Sequence, residues 1–315
     1  MATIVGMPAQ TRTPKALGLL SAPTFALTLT ALFWSGNFVA GRGLRGQIDP
    51  LTLNFLRWLV AFLLIVPFVW RSTDLSVLRR EWRLIFALGA TGLASFHTLV
   101  YLALQTTTAV NALLMLSLVP MATLFGSFLF WGERPTCRQL IGSAISIVGA
   151  VILITRGDIT GVLARGLNTG DLWMLLCVVI WAAYTLLLRC RPADLPPTVA
   201  MGASAAVALM LMAPLLAMLA PTPLAAFGSI SVLLGIGYIA VFASAVAFML
   251  WSYGVAQIGP VRAGQFVHLM PIFGAALAFV LLGEFPSTAQ IGGAALVLSG
   301  LVVFESARIF TKEKS

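Results

Sequence analysis

The sequence predicts an all-α integral membrane protein: ten transmembrane helices in two inverted five-helix repeats. Three observations carry this prediction. The chain is 60% apolar and only 9% charged, where a soluble domain carries roughly 25% charged residues, and its mean hydropathy is +1.00. Ten apolar runs follow one another, each near the roughly 20 residues a helix needs to cross about 30 Å of hydrocarbon. A set of motifs then recurs in the second half at nearly constant spacing.

The runs are 22–41, 50–70, 83–104, 109–130, 137–155, 170–189, 198–219, 231–254, 261–282 and 288–305. The first follows Arg12 and Lys15, as the apolar stretch of a signal peptide would; with nine more behind it, it reads as a retained first helix. Turn-forming pairs separate the others: Asp49-Pro50, Gly132-Glu133-Arg134-Pro135, Arg191-Pro192, Pro196-Pro197 and Gly259-Pro260. The short gap between the third and fourth runs is the weakest boundary.

Orientation follows from the cations, which concentrate on the cytoplasmic side of a membrane protein. With the N-terminus inside, fourteen fall on that side: Arg12, Lys15, Arg71, Arg79, Arg80, Arg83, Arg134, Arg138, Arg189, Arg191, Arg262, Arg308, Lys312 and Lys314. Four fall opposite (Arg42, Arg45, Arg156, Arg165), and Arg57 lies within the second run. Both termini are therefore expected in the cytoplasm of a multi-pass protein of the cell (inner) membrane. The +9 net charge is accounted for by these anchors, so no nucleic-acid partner is expected.

Gly132-Glu133-Arg134-Pro135 with Gln139, Gly142, Ala144 and Gly149 reappears 151 residues later as Gly283-Glu284-Phe285-Pro286 with Gln290, Gly293, Ala295 and Gly300. Pro120 and Pro271 obey the same displacement, while Trp34 and Arg42 reach Trp181 and Arg189 at 147. Five spans per half make the second half enter from the opposite side. Arg134 and Arg138 of the first turn become Phe285 and Ala289 in the second, as the charge rule requires on the outer face. The expected division is a cytoplasmic tail 1–21, a first repeat 22–155, an extracytoplasmic linker 156–169, a second repeat 170–305 and a cytoplasmic tail 306–315.

Trp34-Ser35-Gly36-Asn37-Phe38, the Asn54-Phe55-Leu56-Arg57 stretch and the paired Gly-Glu-x-Pro segments, each after a proline-containing helix, resemble the EamA-type members of the drug/metabolite transporter superfamily. The resemblance covers about residues 20–305. It implies two inverted five-helix repeats around a central cavity, with the fifth and tenth helices peripheral. It also implies secondary transport of amino acids, related metabolites or amphipathic compounds, often as export.

Polar groups at membrane depth are expensive and normally face the bundle interior. Arg57 is the one cation inside a span, able to bind a substrate anion, to snorkel to the outer interface or to pair with backbone carbonyls. His97 shares a helix face with Tyr101, and His268 with Gln265; satisfied core histidines are the plain alternative. Trp34 and Asn37 are mirrored by Trp181 and Tyr184, which suggests packing or stacking on substrate. Asn111 is a lining candidate or a helix-end residue. Pro120 and Pro271 sit mid-run at repeat-related positions, where a freed carbonyl and a kink would make hinges.

Aspartates and glutamates lie at or near span ends, which disfavours a carboxylate proton relay and leaves facilitated diffusion, exchange or coupling through substrate charge. No metal-ligand spacing, catalytic cluster or Walker motif is present, so neither an enzyme nor a bound cofactor is expected. A membrane-embedded enzyme would need a nucleophile motif, and a channel a filter or charged ring. Cys137, Cys177 and Cys190 indicate no disulfide framework. Gly142, Ser146 and Ala150, with Gly292, Gly293 and Gly300, are small residues at helix-packing spacing. They fit close contact within a monomer or a homodimer seam. The expected partners are a small-molecule substrate and the lipid bilayer.

Overall fold

A computed structural model describes residues 22–70, 74–155, 157–158, 168–219, 227–258 and 265–311. The N-terminal tail, most of the 156–169 linker, and Arg71, Arg262, Lys312 and Lys314 lie outside the described residues. Among those described, ten long helical segments and one short helix, Leu75–Arg80 between the second and third of them, follow in chain order and no strand occurs. Helix 1 is Ala22–Gly43, helix 2 Pro50–Trp70, helix 3 Trp82–Ala103, helix 4 Ala109–Trp131 and helix 5 Cys137–Thr155. Helix 6 is Thr169–Arg189, helix 7 Pro197–Met218, helix 8 Ile230–Ile258, helix 9 Gln265–Leu282 and helix 10 Thr288–Thr311. Helices 2, 3, 4, 6, 7 and 8 contain stretches long and apolar enough to cross a membrane, and shorter apolar stretches lie in helices 5, 9 and 10. The uncertain boundary between the third and fourth runs is a true turn. Thr108, in extended backbone, accepts the Asn111 N–H on its hydroxyl and opens helix 4. Helix 10 continues past the expected end at 305, to Thr311.

Contacts between helices repeat in pairs. Helix 2 packs on helix 7 and helix 5 on helix 10; helix 1 packs on helices 8 and 9 as helix 6 does on helices 3 and 4. One end of the bundle joins the C-termini of helices 1 and 3 to the N-termini of helices 6 and 8. Arg42 reaches the Leu104 carbonyl, Asn168 the Thr106 carbonyl, and Ser231 the Gln47 side chain. Such mixing of ends is what halves of opposite sense produce.

Helices 3 and 8 are each interrupted by a π-helical stretch, Gly89–Ser95 and Val241–Val246, at corresponding positions in the two halves. A π-bulge disturbs the i→i−4 ladder and is frequent at functional sites. Helix 2 braces both. Asn54 Nδ2 lies 2.9 and 3.0 Å from the Leu93 and Ala94 carbonyls of the first bulge. Arg57 Nε donates at 2.6 Å to Ser244 Oγ of the second, and that hydroxyl donates back to the Ile239 carbonyl at 2.9 Å.

Helices 4 and 9 are broken as well. Helix 4 is α-helical over Ala109–Leu116 and again over Val119–Trp131; helix 9 begins as a 3₁₀ turn, Gln265–Leu269, and turns α-helical from Met270. Pro120 and Pro271 therefore stand in the first turn of the second halves of these helices, rather than in mid-helix as expected. A first-turn proline has no intrahelical N–H to lose, so the discontinuity just before it replaces the expected kink. Both broken helices end on left-handed glycines, Gly132 (φ 68°) and Gly283 (φ 64°). A side chain there would be strained, which is why each Gly-Glu-x-Pro turn starts with glycine.

Helices 5 and 10 form a close pair. A Cβ at Gly142 would lie 2.5 Å from the Gly300 carbonyl oxygen, and one at Gly149 2.7 Å from that of Gly293. Ser146 Oγ donates to the Val297 carbonyl at 3.1 Å. The small residues thus serve an intramolecular seam, and Gly292, with open space around it, is outside it.

Candidate functional site

Helices 1, 2, 3 and 8 bring Asn37, Arg57, Tyr101 and Ser244 into one buried cluster. Arg57 is 1% exposed and Tyr101 fully buried. Besides its bond to Ser244, Arg57 donates through Nη1 to Tyr101 Oη at 3.0 Å and to Asn37 Oδ1 at 3.2 Å, and Tyr101 donates to Asn37 Oδ1 at 2.7 Å. Every partner is neutral. Among the described residues no carboxylate pairs with Arg57, and its Nη2 makes no hydrogen bond. The snorkelling alternative is set aside by this geometry: the side chain turns into the bundle, towards Ser244 of helix 8.

Aromatic rings surround the cluster. The Arg57 guanidinium lies 5.3 Å from the centre of the Trp58 ring, and Trp58 meets His97 at 5.6 Å and Phe248 at 6.0 Å. His97 is buried, as a core histidine would be, yet its Nδ1 and the Trp58 Nε1 have no hydrogen-bond partner among the described residues. Trp34 packs against Phe248 (5.8 Å) and Trp251 (5.3 Å). Its repeat mate Trp181 packs against Phe96 (4.4 Å) and Tyr184 (5.0 Å). Phe96 and Phe248 are 152 residues apart, as are Tyr101 and Tyr253, a displacement specific to helices 3 and 8 that would have tied both aromatic sets to the repeat.

Towards the end of the bundle that carries Arg189 lies a vestibule of about 330 Å³, lined by Ile65, Tyr184, Leu188, Arg191, Phe248 and Trp251 among others. Phe248 faces this space and touches Trp58, whose ring covers Arg57. A short chain of aromatic contacts thus separates the vestibule from the buried cation.

The two ends of the bundle carry repeat-related ion pairs in different states. At one end Arg42 Nε pairs with Glu284 at 3.1 Å, the side chains being 11% and 16% exposed. Arg42 also donates to the Leu104 and Gln105 carbonyls, and Glu284 accepts the Ala109 N–H at 3.2 Å. The cation thus caps the C-terminus of helix 3 and the anion the N-terminus of helix 4, each at the favourable end of a helix dipole. At the other end the mates Arg189 and Glu133 meet at 2.6 Å but stay 50% and 48% exposed.

Asn111 shares no hydrogen bond with the Arg57 cluster. Its amide donates to Asp171 Oδ1 at 2.6 Å, beside Thr107 at 2.5 Å. Asp171 stands in the first turn of helix 6, at a span end as expected, but it is fully buried. Buried carboxylates are therefore not lacking: hydroxyl and amide donors close to a helix N-terminus make this one tolerable. The side chains of Gln265 and His268 lie outside the described residues. Ser244, Phe248 and Trp251 were missed by the sequence reading, and Asp171 and Glu284 were read only as span-end and turn residues. Serine, phenylalanine and tryptophan are ordinary in apolar runs, and only the fold gives them partners.

The profile of the EamA-like transporter family matches residues 22–155 and again 168–305. A probable terminal-alkyne amino-acid exporter of Streptantibioticus cattleyicolor is 28% identical over 295 residues, covering 90% of this chain and 93% of its own. The aromatic amino acid exporter YddG of Ancylobacter novellus is 28% identical over 281 residues, covering 86% and 93%. A crystal structure 24% identical in sequence superimposes with a TM-score of 0.63 over 90% of this chain and 96% of the other, a likeness of fold. With both halves matched by one transporter profile, the chain belongs to the EamA-like transporter family and is a multi-pass membrane transporter, not an enzyme.

Proposed function

We propose that this protein moves small amphipathic metabolites, amino acids and their relatives among them, by alternating access around the cavity between its two halves, in export or exchange. The observation that carries this reading is the unequal state of two symmetry-related ion pairs. The Arg42–Glu284 end is closed over several hydrogen bonds, while the Arg189–Glu133 end is solvated beside a vestibule. Exchange of these states between the halves would present the central residues to each side in turn. The names of the two relatives above support amino-acid-like cargo. Trp34, Asn37, Arg57, His97, Tyr101, Trp181 and Tyr184 are the proposed lining, with the breaks before Pro120 and Pro271 as the elements that bend. The repeats are taken as 22–155 and 170–305, working as a monomer or a homodimer in the cell (inner) membrane with both termini in the cytoplasm.

Two measurements check this. Counterflow of labelled phenylalanine into proteoliposomes loaded with mixed amino acids is expected for the wild type. It should fall about fivefold in Trp34→Ala, which removes one ring worth about 1 kcal/mol of aromatic contact, with folded yield unchanged. Full activity of that variant would remove Trp34 from the lining. For orientation, a reporter active only outside the cytoplasm should give signal when fused near residue 160 and none near residue 75. The reverse pattern would invert the topology.

A further inference from the structure

Arg57 is a buried cation that pairs with no carboxylate among the described residues. Insertion of an arginine into a membrane helix is costly, and burial without an anion leaves that cost unrelieved. The three described hydrogen bonds of Arg57 all run to neutral groups, and the fourth bond of the cluster joins Tyr101 to Asn37. Asp171, the fully buried carboxylate among the described residues, is engaged by Thr107 and Asn111 instead. Bracing the helix 8 bulge uses Nε alone; a neutral donor would serve that purpose, so bracing does not account for the charge.

We infer that Arg57 is the recognition group for the carboxylate of the transported solute, and that the cargo class is small monocarboxylates with an apolar or aromatic tail, an ammonium group being dispensable. This rests on the transport reading above and narrows it. The planar guanidinium matches a carboxylate bidentately. Nη2 makes no hydrogen bond to a described residue, and Nη1 holds Asn37 Oδ1 at 3.2 Å, the longest bond of the cluster. A carboxylate would take both nitrogens and leave Asn37 to Tyr101. One cation among neutral groups balances one negative charge, so a second on the ligand would be unpaired. No acidic side chain touches Asn37, Arg57, Tyr101 or Ser244 among the described residues, so the site holds no anion for an ammonium. The rings of Phe248, which lines the vestibule, and of Trp58, which lies against the guanidinium, suit an apolar tail, and Trp34 packs on Phe248.

The test is thermal stabilisation of the purified full-length protein by 3-phenylpropionate, phenylalanine, phenylalaninamide and phenethylamine, paired with proteoliposome counterflow of the same compounds. A ligand that binds the native state raises its apparent stability. The two carboxylates are expected to stabilise the wild type, and the amide and the amine to bind at least tenfold more weakly. Arg57→Gln is expected to lose at least tenfold in affinity for 3-phenylpropionate and Arg57→Lys to recover part of it. Should neither variant fold, the wild-type series still decides, because a bracing arginine would not distinguish carboxylate from amide. Stabilisation by phenethylamine equal to that by phenylpropionate, or by none of the carboxylates, overturns the inference. Counterflow of the amine or the amide with no carboxylate preference overturns it while leaving the transport reading standing. Absence of counterflow for every compound together with carboxylate-dependent stabilisation supports the site and tells against the transport reading.

Discussion

Glu284→Gln is expected to open the end of the bundle that Arg42 and Glu284 hold shut. The substitution keeps the shape but removes the charge that Arg42, at 11% exposure, faces across 3.1 Å. It also weakens the hydrogen bond from the Ala109 N–H at the start of helix 4. Hydrogen bonds to charged groups contribute about 1.5–3 kcal/mol, so a loss of about 2–3 kcal/mol shifts the balance between closed and open forms by about 30- to 150-fold. Glu133→Gln at the mate pair should change the same balance far less. Those side chains are about half exposed, and surface pairs contribute about 0–1 kcal/mol. Spin labels at Arg45→Cys and Phe285→Cys, both exposed and close to the pair, read the opening by electron–electron double resonance. The exposed Cys137 and Cys190 are first replaced by serine. A longer label separation in Glu284→Gln, with little change in Glu133→Gln, is the expected result. An unchanged distance distribution would show that the pair does not hold this end closed.

The second large effect lies away from the cavity, in the helix 5–helix 10 seam. Gly142→Ala and Gly149→Ala together should destabilise the protein strongly. Their Cβ atoms would fall 2.5 and 2.7 Å from carbonyl oxygens of helix 10, and backbone atoms cannot rotate aside as a side chain can. Overpacking costs about 1–3 kcal/mol per site, and a gain of about 1 kcal/mol in helix propensity for each glycine replaced only partly offsets it. Gly292→Ala, with nothing within 4 Å of its Cβ, keeps the propensity gain and should be neutral or stabilising. Thermal unfolding in detergent compares the three. A double variant as stable as the wild type would mean that the two helices separate at no cost.

Much of the architecture could be read in the sequence. Ten apolar runs, the displaced Gly-Glu-x-Pro turns and the arginines missing from the second turn together predicted ten helices in two opposed halves. Each is a local or periodic property: hydrophobic length, turn chemistry and charge position act on the chain wherever it lies. Among site residues, Arg57, Asn37, His97 and Tyr101 were singled out because polar groups inside apolar runs are costly unless they have company. The structure brings Asn37, Arg57 and Tyr101 into one hydrogen-bonded cluster, with His97 across the Trp58 ring.

What only the tertiary structure decided is which groups meet. Arg42 and Glu284 are 242 residues apart, so no periodicity pairs them. Their burial against the ends of helices 3 and 4, and the solvation of the mates Arg189 and Glu133, depend on how the two halves lean on each other. Symmetry in the sequence fixes that there are two such pairs; it does not say which one is closed. The same holds for Asp171, which stands at a span end by sequence and becomes fully buried only because helices 4 and 6 pack around it. Ser244 is one of many serines until the π-bulge of helix 8 turns it towards Arg57. Hydrophobicity and helix length are additive along the chain, and so the sequence by itself determined the membrane fold. Hydrogen bonds and charges act over a few ångströms between distant segments, and so the cluster and the closed end were decided only once the helices had packed.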